Sequence, residues 1–214
     1  MIPVFLFDQK GPHGYNIKNF EERVIDICEE HQNEKRACAF AFILHDAESP
    51  QYSKVLKDQD YWDSLNSISG KALTVFSVFS GLLRRDEGNS FANTITSAKS
   101  HREQQRRIIQ TYFGVDDIAF PALLFFQVSN GMVSGMTLIS LKARDMESAY
   151  AELSDLLRMA AEAVRDSTGK LIQDPERAFS KIKTAVRYRA TVVAGKELGK
   201  TASAIKSWLA FLIG

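Results

Sequence analysis

Phe120-Pro121-Ala122-Leu123-Leu124-Phe125-Phe126 is an apolar run entered through a proline. Proline has no N–H to give to a β-ladder, so within a sheet it sits at edges, bulges or a strand's first residue. The run therefore reads as a buried strand over 121–128 that starts at Pro121. Upstream, Ile108, Ile109, Tyr112 and Phe113 recur at helical spacing and stop at Gly114. Ser100 and Glu103 give that helix a capping-box start. Downstream, Asn130-Gly131 signals a tight turn, with a loop that extends as far as Gly135 as the alternative, and Met136–Leu141 closes a hairpin.

The same signals order the rest of the chain. Residues 2–7 read as a strand, and Gly11, Pro12 and Gly14 mark a loop. Asn19 with Glu22 opens a helix whose apolar positions are Phe20, Val24, Ile27 and Cys28. Residues 37–45 are apolar almost throughout, as in a parallel strand covered on both faces. Pro50 opens a helix with a break near Asp58–Asp60, and 72–79 form the next strand. A polar connection spans about 84–100, a length more typical of functional loops than of simple links. Asp145 caps a long helix through Ala149, Leu153, Leu156, Ala160 and Val164. Strands alternating with helices and ending in a hairpin predict an α/β fold with a mixed sheet.

Residues 1–166 resemble a thioredoxin-like α/β domain, on the element order and on the proline before the hairpin's first strand, and the domain is bounded at 1–168. The resemblance implies a cis bond before Pro121 and a site facing it. The family's redox motif follows the strand matching 37–45, where this chain has His45-Asp46-Ala47-Glu48-Ser49-Pro50 and no cysteine. The expected protein is thus a non-redox member without CxxC.

Composition narrows the function classes. The chain has 214 residues, 45% hydrophobic and 25% charged, which suits a globular fold with its own core. Cys28 and Cys38 fit no metal spacing and no disulfide framework, and read as buried small hydrophobes in a reducing, cytoplasmic protein. The short apolar N-terminus lacks the basic leader of a signal peptide, and no run reaches a membrane span. His13, His31 and His101 show no ligand spacing, so neither metal nor other cofactor is expected. Ser69-Gly70-Lys71 and Thr168-Gly169-Lys170 lack the upstream glycine of a phosphate loop and read as turns. Arg102, Arg106 and Arg107 read as a solvated helix face; with net charge +1, nucleic acid is not an expected partner.

Two regions are candidates for function. Ligands of open α/β sheets bind beyond the carboxyl ends of the parallel strands. That end gathers His45, Asp46, Arg84, Arg85 and Pro121 as binding residues, without a nucleophile or oxyanion hole, so no catalytic residue is assigned. The second region is the C-terminal stretch, 174–214, read as a helical extension. It carries eight Lys/Arg against three Asp/Glu, leaving residues 1–173 at −4. Leu198, Ile205, Trp208, Leu209 and Leu212 fall on one stripe, which must be covered by the domain itself, by a protein partner or second copy, or by a membrane surface. The leading expectation is a protein-interaction or adaptor module using the sheet-edge cleft and the terminal helices. The alternative is an enzyme or small-ligand binder at His45/Asp46.

Overall fold

The computed structural model describes residues 1–5, 15–46, 48–79, 102–103, 105–116 and 118–187. In chain order the elements are β1 (Ile2–Phe5), β2 (Tyr15–Asn16), α1 (Ile17–Asn33), β3 (Ala39–Leu44), α2 (Pro50–Lys57), α3 (Gln59–Ser69) and β4 (Leu73–Phe79). Then follow α4 (105–113), β5 (Ala122–Ser129), β6 (Met132–Ser140), α5 (Met146–Ala163) and α6 (Pro175–Arg187). The strands form one mixed sheet in the order β2-β1-β4-β3-β5-β6. β1, β4 and β3 run parallel to one another, and β5 and β6 are antiparallel additions.

Side-chain alternation along the strands builds two cores. Ala39, Ala41 and Ile43 of β3 join Leu123 and Phe125 of β5 on one face, beneath α2, α3, α5 and α6. Phe40, Phe42 and Leu44 join Leu124 and Phe126 on the other, beneath α1 and α4. All six residues of β3 are buried, which explains why its sequence runs apolar rather than alternating. Burying one such large side chain contributes roughly 1.5–3 kcal/mol.

Local chemistry sets the element ends. Asp58 closes α2 and opens α3, its carboxylate accepting the Tyr61 N–H at 3.1 Å. Asp145 caps α5 in a reciprocal box with Ser148. Asp174 accepts the Glu176 and Arg177 N–H groups in front of Pro175, as a helix start requires.

Two boundaries differ from the sequence reading. α1 begins at Ile17, directly after the two-residue β2, so Asn19 lies inside its first turn. The β5–β6 hairpin is tight: Asn130 and Gly131 have φ 53° and 76°, the left-handed pair of a two-residue turn. β6 therefore starts at Met132, and Gly135 is a strand residue rather than the end of a loop. A Cβ on Gly135 would lie 2.7 Å from Cε1 of Phe179, so only glycine lets α6 approach β6 this closely. Ala178, Phe179, Ile182 and Val186 of α6 are buried against the sheet and α5. Cys28 is buried, whereas Cys38 is half-buried just before β3 and donates its thiol to the Ala72 carbonyl at 3.1 Å. Both glycine-lysine stretches are turns, with Gly70 and Gly169 at positive φ.

Candidate functional site

β3 ends at Leu44, whose ladder partner on β5 is Ala122, so His45 comes level with Pro121. The Phe120–Pro121 peptide bond is cis. His45 and Asp46 are buried, at 4% and 5% exposure, which corrects any picture of a solvated loop.

A polar corner forms around Asp46. Its Oδ1 accepts the Glu48 N–H at 3.1 Å and faces the Ser49 hydroxyl at 2.9 Å. Ser49 Oγ in turn accepts the Asp46 N–H at 3.1 Å. This short turn delivers the chain to Pro50 and α2, so Asp46 shapes the entry of that helix. The fully buried Gln105 of α4 holds the main chain of His45 from above. Its Oε1 accepts the His45 N–H at 3.2 Å, and its Nε2 donates to the His45 carbonyl at 2.7 Å.

Arg102, in the helical residues 102–103 that lead into α4, ties this corner to the strand entry. Its Nη1 lies 3.4 Å from Asp46 Oδ2 and 3.7 Å from Glu48 Oε1. Its guanidinium sits 5.4 Å from the centre of the Phe120 ring, within cation–π range. The Arg102 side chain is 35% exposed and that of Glu48 83%, while Asp46 is shut in. Both Asp46 carboxylate oxygens are thus engaged inside the protein. The solvent-facing part of the corner is Glu48, the outer side of Arg102 and the half-buried Phe120.

Among the expected site residues, His45, Asp46 and Pro121 come together at this end of the sheet. Arg84, Arg85, Leu198, Ile205, Trp208, Leu209 and Leu212, like the Ser100 cap and His13 and His101, lie outside the described residues. The sequence reading missed Arg102 and Gln105. Arg102 is an ion-pair partner rather than part of a solvated face, and Arg107 pairs with Glu21 of α1 instead of sharing a basic cluster with it.

Both thiols are held above their ordinary range. Burial holds Cys28 well above the usual thiol range, with Glu29 adding to the effect. Burial also pushes Cys38 up to about 11, against a smaller opposing pull from a backbone hydrogen bond and Arg165. Neither lies in the 45–50 turn. His31 is also buried, its Nδ1 3.1 Å from the Thr74 hydroxyl. Among the described residues there is no cluster of three or more metal-ligating side chains. No helix among them is long and apolar enough to cross a membrane.

No protein-family model matches the chain, and neither the curated proteins nor the solved structures compared with it give a match.

Proposed function

We propose that the chain is a thioredoxin-like protein turned from thiol chemistry to binding, and that it works as a protein-interaction module. Support for the fold is the sheet order, with a parallel pair of crossovers flanked by the β5–β6 hairpin, together with the cis bond at Pro121. The observation that carries the function is the corner at residues 45–49. Where the resemblance puts a reactive thiol, this chain has a carboxylate whose oxygens are used by Glu48, Ser49 and Arg102. A general base needs a lone pair within reach of a substrate proton, and the buried Asp46 uses Oδ1 to hold the turn while Oδ2 faces Arg102. What remains for a partner is a surface: Phe120, Arg102 and the exposed Glu48 around the Pro121 strand entry.

In this reading a partner segment lies across Phe120–Pro121 and meets Glu48 and Arg102 with its side chains. The C-terminal stripe from Leu198 to Leu212 supplies a second contact, and the protein works in the cytoplasm. Affinity capture from native host cells, comparing wild type with Glu48→Arg, tests the module. A stoichiometric protein retained by the wild type and lost from the folded variant is the expected result. A co-purifying small molecule with no protein partner would refute it in favour of a ligand-binding site.

A further inference from the structure

β6 ends the sheet: no described strand lies beyond it, whereas β1 at the other side is followed by β2. Its faces are covered, one by α6 through Phe179 over Gly135 and the other by the core beneath α1 and α4. Among the described residues no strand pairs with its backbone edge. Open edges of this kind are normally protected by charge, proline or a bulge within the edge strand. Met132-Val133-Ser134-Gly135-Met136-Thr137-Leu138-Ile139-Ser140 contains no charged residue and no proline; it carries a bulge at Ser134, between the pairs Val128↔Val133 and Gln127↔Gly135, so the regular and unprotected part of the edge is Met136–Ser140. Met132 is a large hydrophobic residue left 42% exposed.

The hydrogen-bond phase of the hairpin tells which residues face outward. Leu141 N–H donates to the Pro121 carbonyl at 3.0 Å, so the 121–141 pair is of the hydrogen-bonded kind. Pairing alternates in an antiparallel ladder. The register Ile139↔Leu123 and Thr137↔Phe125 therefore turns the backbone groups of Ile139 and Thr137 inward. Met136, Leu138 and Ser140 turn theirs to the open side.

We propose that β6 pairs antiparallel with β6 of a second copy, about a two-fold axis at Leu138. That register sets Leu138 against Leu138, and Met136 of one copy against Ser140 of the other. Every outward N–H and C=O in the stretch then meets an outward group of the other strand, giving about six backbone hydrogen bonds, two for each facing pair. The same patch serves both copies, as a two-fold interface requires. Because the strand is uncharged, the symmetry brings no like charges face to face; Lys142, the nearest cation in sequence, falls toward the bulge at Ser134, outside the paired stretch. The product is one continuous sheet running through both copies.

The test uses the full chain. Sedimentation across a wide concentration range should give twice the chain mass at high concentration and the chain mass on dilution. Residue-resolved hydrogen exchange on the same samples should show the amides of Met136, Leu138 and Ser140 protected in the dimer, with protection falling at least about tenfold on dilution. Those of Thr137 and Ile139 should stay protected throughout. Met136→Lys with Ser140→Lys, which faces lysine with lysine twice, should weaken self-association at least about tenfold while the monomer stays folded. A monomer at every concentration overturns the proposal, as does a dimer in which those three amides exchange freely. Protection that persists in the monomer also overturns it, since another segment of the chain would then cover the edge.

Discussion

Replacing Gly135 by alanine tests the docking of α6 on the sheet, and two effects of opposite sign compete there. Gly135 is not held at positive φ. Removing glycine's freedom from the unfolded chain would by itself stabilise by about 0.4–1 kcal/mol. Against this, the new methyl would lie 2.7 Å from Cε1 and 2.9 Å from Cδ1 of Phe179. Carbon atoms rest about 3.5–4.0 Å apart, so ring or helix must shift by most of an ångström. The ring has little room to yield, since Phe179 is 8% exposed and packed within the larger core. Overpacking of this kind costs about 1–3 kcal/mol and wins over the entropy gain. For a chain of this size each kcal/mol lowers the melting temperature by about 2–4 °C. Thermal melts followed by circular dichroism should therefore show Gly135→Ala reduced by about 2–8 °C. Phe179→Leu should lose stability alone yet relieve the clash, so the double variant should be more stable than additivity predicts by about 0.5 kcal/mol or more. A Gly135→Ala protein as stable as wild type, or strictly additive costs, would refute the account of this contact.

Asp46→Ala should destabilise by about 2–3 kcal/mol in urea titration, because it removes a buried ion pair whose arginine is partly hydrated together with the turn bonds to Glu48 and Ser49. Asp46→Asn keeps the shape and an acceptor oxygen and should cost about half as much; equal costs would mean that charge alone matters. His31 is held below its ordinary range by burial, with the Arg36 charge adding and Glu30 and Glu34 opposing. A histidine depressed in the folded state leaves the unfolded chain to take up the proton first. Stability is thus full above about pH 6.5 and declines as pH falls from there toward the folded value. His31→Gln should flatten this acid-side decline, and an unchanged pH profile would contradict the assignment. Cys28 and Cys38 should react slowly with a thiol reagent at neutral pH and give no turnover in insulin reduction. Turnover abolished by Cys28→Ser or Cys38→Ser would count against a non-redox protein.

The fold was legible where a short signal carried its own cause. Asp145 caps its helix, the break near Asp58–Asp60 divides α2 from α3, Asn130-Gly131 makes the tight turn, and the unbroken apolar run at 39–44 is buried on both faces. It was less legible where a residue's reason lay elsewhere in the chain. Gly135 suggested a loop because its partner, the ring of Phe179, belongs to a helix far along the sequence. β2 is two residues long and has no periodicity to read. The location of the site followed from His45, Asp46 and Pro121, yet its wiring did not. Arg102 sits in a run of arginines that looks solvated until folding brings Asp46 beside it. Gln105 uses a neutral amide on main-chain groups, which leaves no pattern in sequence.

The interaction reading is tested most directly by a photo-crosslinking amino acid placed at position 48 of the full chain in native host cells. Glu48 is 83% exposed, so the replacement leaves the buried Asp46 corner in place. The same probe at Lys183, exposed on α6, serves as the control. The account predicts a discrete protein adduct from position 48 that position 183 does not give and that Phe120→Ser reduces. No adduct at position 48, or the same adducts from both positions, would contradict it.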